Sequence, residues 1–117
     1  MKPLIYIVDD DDLFRRSLAF SLEQAGYATF TASSAEDAIA MIQQKRPDII
    51  LLDIMLPGMD GLEALRYFHD KIGVPVIFLT ARTGDEDLEK AIAVGGDDYL
   101  IKPVSEIVLA AKVRAMQ

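Results

Sequence analysis

Cysteine is absent from this 117-residue chain and histidine occurs once. The first absence excludes disulfides and thiolate metal sites and fits a cytoplasmic setting. Long apolar runs are lacking too. Those present, such as residues 49–52 and 74–79, are far too short to span a bilayer, so no membrane association is expected. Lys2-Pro3 leads straight into a short strand-like run, which is no secretion signal. Positive charge is scarce: 12 Lys and Arg stand against 19 Asp and Glu, a net charge of −7. Direct nucleic-acid binding by this segment is therefore not expected, because neutralising phosphates needs clustered Lys and Arg. Internal repeats, low-complexity tracts and Pro/Gly linkers are also missing.

What is present suits one globular domain over residues 1–117: 51% of residues are apolar and 26% charged. Short apolar runs alternate with amphipathic segments. Residues 4–8 are compact and rich in β-branched side chains, and read as a buried strand. Phe14, Leu18, Leu22 and Ala25 share one helical face, and Gly26 closes that helix. Residues 27–31 form a second strand. Ser33 and Ser34 can cap a helix whose stripe is Ala35, Ala38, Ile39 and Ile42. Pro47 breaks the chain before a third strand, 49–52, which runs into Asp53.

The second half repeats the pattern. Pro57, Gly58 and Gly61 mark a loop. Leu62, Leu65, Phe68 or His69, and Ile72 make a third helical stripe. Residues 74–79 form strand four, with Pro75 near its start because it cannot donate to the ladder. A fourth helix opens at Thr83-Gly84-Asp85, turns Leu88, Ala91 and Ile92 inward and closes at Gly95-Gly96. Residues 99–101 form strand five, Lys102-Pro103 a turn, and Val104 onward the last helix. On that helix Ile107, Val108, Ala111 and Ala115 form one apolar stripe. Leu109, Val113 and Met116 form a second, so the helix has either a wide core face or a partner surface.

Five β-α units with strands apolar on both faces imply a parallel sheet covered by helices on both sides. Such sheets bind ligands beyond the carboxyl ends of their strands, near the point where strand order reverses. That rule selects Asp9 and Asp10 after strand one, Asp53 after strand three, Thr80 after strand four and Lys102 after strand five. Each ionised carboxylate pair costs roughly 4 kcal/mol at a separation of about 4 Å and an effective dielectric of about 20. A proton or a cation must relieve it. Oxygen ligands without His or Cys favour Mg²⁺. Lys102 and the Thr80 hydroxyl suit phosphoryl oxygens, and Asp53, alone at its strand end, is the best nucleophile candidate.

The stretches IYIVDDD, PDIILLDIMLPGMDG, VIFLTA and GGDDYLIKP resemble the receiver domain of two-component response regulators, over essentially the whole chain. The resemblance implies a doubly wound (βα)5, flavodoxin-like α/β fold with strand order 2-1-3-4-5. It further implies that Asp53 accepts a phosphoryl group from a sensor histidine kinase or a histidine phosphotransfer protein. Asp9 and Asp10 match the acidic pair that holds Mg²⁺ with Asp53 and the Met55 backbone carbonyl. Thr80 matches the switch hydroxyl, Tyr99 the switch aromatic and Lys102 the salt-bridging lysine, followed by a cis bond to Pro103. The domain would be a signalling switch that catalyses only its own phosphorylation and dephosphorylation. Met55 and Arg82, which flank the path of the attacking water in that family, suggest slow self-hydrolysis.

GGDDYLIKP, with Lys90 and Lys112, also resembles the winged-helix transcription-factor subfamily. In that subfamily charged pairs across the fourth helix, fifth strand and last helix hold a homodimer. Val108 stands where an acidic residue is expected, a departure from that pattern; Asp97 or Asp98 would pair with Lys112. An ending on an apolar-rich helix leans toward the front part of a longer regulator over a stand-alone receiver.

Three other readings compete. A nucleotide-binding α/β protein lacks its GxGxxG or Walker pattern. A haloacid-dehalogenase-like phosphatase needs a second Asp where Met55 stands. A degenerate receiver would have lost part of the acidic pair, the phosphoacceptor or the lysine, and none is missing. Asp11 and Asp12 fall outside the site, with Asp12 suited to cap the first helix. His69 reads as a packing or surface residue.

Overall fold

The computed structural model describes residues 2–53, 61–80, 89, 92–93 and 95–116. Five parallel strands form one sheet in the order β2-β1-β3-β4-β5, as expected. They are β1 (Leu4–Val8), β2 (Ala28–Ala32), β3 (Ile49–Asp53), β4 (Val76–Thr80) and β5 (Asp98–Ile101). The helices are α1 (Asp12–Gln24), α2 (Ala35–Ile42), α3 (Gly61–Tyr67) and, at the C-terminal end, α4 (Glu106–Ala115). The helix expected between β4 and β5 falls mainly outside the described residues, with Glu89, Ile92 and Ala93 helical. Leu88 and Ala91 lie outside them, and Ile92, expected inward, is exposed.

The apolar runs split between the two faces by the period-two alternation of a strand. Tyr6, Val8, Ile50, Leu52, Val76 and Phe78 meet Ala35, Ala38, Ala64, Leu65 and Phe68 on one side. Ile5, Ile7, Ile49, Leu51, Ile77 and Leu79 meet Leu18, Leu22, Leu109 and Val113 on the other. Strands β1, β3 and β4 are buried along their whole length. Aspartates tie the amino ends of two of them. Asp48 accepts the Leu4 N–H at 2.7 Å and Asp97 the Val76 N–H at 2.8 Å.

Several local expectations are corrected. Asp11, not Asp12, caps α1: its carboxylate accepts the Phe14 N–H at 3.1 Å. Asp12 sits in the first turn, where it suits the helix dipole and pairs with Arg15. Strands β2 and β4 start later than expected, and Val74 and Pro75 precede the ladder of β4. Of the two alternatives Phe68 and His69, Phe68 enters the core, within the expected stripe. The last turn of the third helix is π-helical over Phe68–Ile72, closed by the Gly73 N–H on the Phe68 carbonyl at 2.9 Å. That wider turn leaves Phe68 buried and His69 exposed.

On α4, where the sequence left the two stripes open, packing separates them. Leu109 and Val113 are buried, while Ile107 is 83% and Val108 43% exposed. The stripe placed second in the sequence is the core face. No helix among the described residues is long and apolar enough to cross a membrane.

Gly95 packs tightly beneath the third helix. Its φ is +129°, and an added Cβ would stand 2.6 Å from Cγ of His69. Gly95→Ala should therefore lower stability by about 2 kcal/mol in denaturant unfolding. Adding His69→Ala should recover the steric part and leave the backbone part.

Candidate functional site

The sheet register carries the chemistry to one edge. Asp53 pairs with Leu79 across β3 and β4, and Thr80, one residue further, pairs with Ile101. The ladder continues past the strand ends: the Asp9 N–H donates to the Ala32 carbonyl and the Lys102 N–H to the Thr80 carbonyl at 2.8 Å. Asp9, Asp53, Thr80 and Lys102 thus arrive on rigid, hydrogen-bonded backbone.

Asp9, Asp10 and Asp53 each offer an oxygen within 4.8 Å of the others. Asp9 is fully buried, Asp53 nearly so, and Asp10 opens to solvent. Lys102 reaches in from β5, with Nζ 2.7 Å from Asp9 Oδ2 and 3.3 Å from Asp53 Oδ2. Burial pushes the Asp9 carboxyl above the usual range. The Lys102 hydrogen bond and the Asp11 N–H pull against that rise, and the Asp53 charge adds to it. For Lys102, burial disfavours the charge, but the hydrogen bonds and charges of Asp9 and Asp53 outweigh it and raise its pKa. The Asp run is divided by its bonds. Asp9 Oδ1 accepts the Asp11 N–H at 2.9 Å, and Asp11 in turn caps α1.

One lysine among three carboxylates leaves the centre negative. A cluster of hard oxygens with an open Asp10 side fits a small divalent cation that keeps some of its water. Thr80 is 1% exposed at the same edge. Tyr99 is half-buried and stacks on Phe78, with centroids 5.7 Å apart. The Lys102–Pro103 peptide bond is cis. Met55 and Arg82 lie outside the described residues, as does Lys90.

Among the described residues, the charges considered for a partner surface are engaged within the chain. Lys112 Nζ lies 2.7 Å from Asp98 Oδ2, and Asp97 holds the Val76 N–H. Arg15 is a residue that the sequence reading passed over. Its Nη1 donates to the Asp9 backbone carbonyl at 2.7 Å while Nη2 pairs with Asp12. The Asp12–Arg15 spacing of three on a helix was the available signal.

The family model of the response regulator receiver domain matches residues 5–114. The transcriptional regulatory protein AfsQ1 of Streptomyces coelicolor is 42% identical over 114 residues, 97% of this chain and 51% of that protein. The chain thus spans about half the length of that curated relative. A two-component response regulator from Clostridium difficile superposes with a TM-score of 0.94 at 33% identity, covering 98% of this chain and 95% of that one. Chemotaxis response regulator CheY4 of Vibrio cholerae gives 0.91 at 28% identity, with both chains fully covered.

The buried charge makes the metal-free site a source of instability. The folded Asp9 pKa is raised, so the native state holds its proton more tightly and stability falls as pH rises through that titration. Above that titration the whole cost is present. There Asp9→Asn, without Mg²⁺, should melt above the wild type and lack this fall with pH. Mg²⁺ at about a hundredfold excess over its dissociation constant should add about 2.7 kcal/mol to the wild type. Thermal melts of Asp9→Asn and Asp53→Asn should not respond to it.

Proposed function

The chain belongs to the response regulator receiver family, and on that footing we propose that Asp53 is the phosphoacceptor of a signalling switch. The observation that carries the proposal is the cluster itself: a nearly buried Asp53 beside Asp9 and Asp10, with the Lys102 ammonium 3.3 Å away. The donor is a phosphohistidine on a sensor histidine kinase or a histidine phosphotransfer protein. An Asp53 carboxylate oxygen attacks phosphorus and the P–N bond breaks. The imidazole nitrogen leaves with the electron pair and regains a proton from solvent. Asp9, Asp10, Asp53 and the Met55 backbone carbonyl would hold Mg²⁺, which when bound neutralises charge on the phosphoryl oxygens. Lys102 meets the same charge from the β5 side and the Thr80 hydroxyl donates to a phosphoryl oxygen.

A phosphoryl group brings close to two negative charges. In the switch we propose, Thr80 and Lys102 turn toward it and the Tyr99 ring moves inward, which biases an existing two-state equilibrium. The readout face comprises the segment before β5, β5 and α4. Its apolar exposure supports a second copy or an output domain as partner: Ile92 is 56%, Ile101 38% and Val108 43% exposed. Control of transcription, the role named for AfsQ1, is the output favoured by that likeness.

Incubation with a small acyl phosphate and Mg²⁺ should add one phosphoryl mass to the intact protein. Asp53→Asn should take no label, and omission of Mg²⁺ should abolish it. An adduct that survives Asp53→Asn would refute the assignment. Light scattering after labelling should report a dimer, and Val108→Arg should return it to monomer without slowing the labelling.

A further inference from the structure

Lys102 has a third neighbour that the acidic cluster does not account for. Its Nζ stands 4.4 Å from the centroid of the Phe14 ring. Phe14 belongs to the first turn of α1 and is only half-buried, so burial of apolar surface explains part of its place. We propose that Phe14 is a positioning residue that holds the Lys102 ammonium against Asp9 and Asp53. The inference rests on the phosphoacceptor reading and deepens it.

The contacts close into a ring. Lys102 Nζ donates to Asp9 Oδ2 at 2.7 Å, and Asp9 Oδ1 accepts the Asp11 N–H at 2.9 Å. Asp11 accepts the Phe14 N–H at 3.1 Å, and the Phe14 ring returns to Lys102. Each link constrains the next. The cap fixes the first turn of α1, the turn fixes the ring, and the ring face attracts the cation through its quadrupole. A lysine has four rotatable bonds and a strongly hydrated head, so two carboxylates on one side leave it free to swing. A π-face on another side limits that swing. It does so without adding a hydrogen-bond acceptor that would compete with Asp9, Asp53 or an incoming phosphoryl oxygen. Leucine would fill similar space but offers no such face.

The position of Lys102 is read by NMR on the whole chain without phosphate donor or Mg²⁺. Its Hε and Cε resonances, assigned by their loss in Lys102→Gln, should be shifted upfield by the aromatic ring in the wild type and in Phe14→Tyr. In Phe14→Leu they should return toward the value of an exposed lysine. With acyl phosphate and Mg²⁺, the labelling rate of Asp53 should fall about two- to fivefold in Phe14→Leu and be retained in Phe14→Tyr. In a Lys102→Gln background Phe14→Leu should change nothing further. An unshifted wild-type Lys102 overturns the inference. So does a wild-type labelling rate in Phe14→Leu, or a slowing that persists in the Lys102→Gln background. If the wild type takes no label at Asp53, the phosphoacceptor reading fails instead, and the resonances alone decide where Phe14 holds the lysine.

Discussion

The pairing of the Lys102 ammonium with the buried carboxylates of Asp9 and Asp53 is the interaction on which the site depends. Three carboxylates at the ends of two adjacent strands repel one another, and burial raises the cost of the charge on Asp9. The lysine offsets part of that cost, at 2.7 Å from one and 3.3 Å from the other. One ammonium among three carboxylates is a donor set that suits a divalent cation as well. On the proposed function this imbalance makes the site responsive: a divalent ion would lower its energy, and a phosphoryl group would change which oxygens compete for the ammonium.

Such a cluster needs a rigid frame to exist at all. The frame is the parallel sheet, whose central strands have no solvent-facing side. Side chains of opposite parity feed the two cores, so a slip of one residue in β1, β3 or β4 would exchange the faces and also displace a site residue from the edge. The cost of bringing Asp9 and Asp53 together is thus met by apolar burial far below them. The cluster persists because the alternative register would bury polar groups and expose apolar ones.

The fold was legible because its signals are redundant. Strand-length apolar runs, caps and helix stops agree with one another, and the strand-end rule then picks out Asp9, Asp10, Asp53, Thr80 and Lys102 without any knowledge of a family. The points left open or misread share a physical origin, since they occur where the local sequence pattern alone does not decide between neighbouring residues. On α4, Ile107 and Val108 are as apolar as Leu109 and Val113, and only packing against the sheet chooses between the stripes. In the third helix a π-helical turn shifts the phase, so the choice between Phe68 and His69 had no solution at a fixed 3.6-residue period. The cap of α1 is ambiguous inside a run of four aspartates, since each has the same side chain. It is settled by Asp11, whose backbone is extended and whose carboxylate reaches the Phe14 N–H. The Phe14 platform and the Arg15 clamp were missed because a helical wheel weighs a side chain only as apolar or polar. Neither the face of a ring nor the direction of a guanidinium enters that count.

Strand β5 explains how a local change of charge could leave the site. It is four residues long and is fastened near both ends by charge. At its start Asp98 holds Lys112 of α4 at 2.7 Å, and just past its end Lys102 enters the acidic cluster. Between them Tyr99 stacks on Phe78 and is only half-buried, so its ring has somewhere to go. Ile101 at the end of the same strand and Val108 on α4 are exposed apolar side chains. On the proposed function, a charge gained at Asp53 acts on one fastening, and the other carries the strain to α4. The short strand has little core of its own with which to absorb it, since Leu100 alone is buried within it. A long central strand such as β3 would resist the same pull along its whole length. On the proposed function, the edge placement of β5 in the sheet would therefore let one carboxylate govern the face that carries Ile101 and Val108.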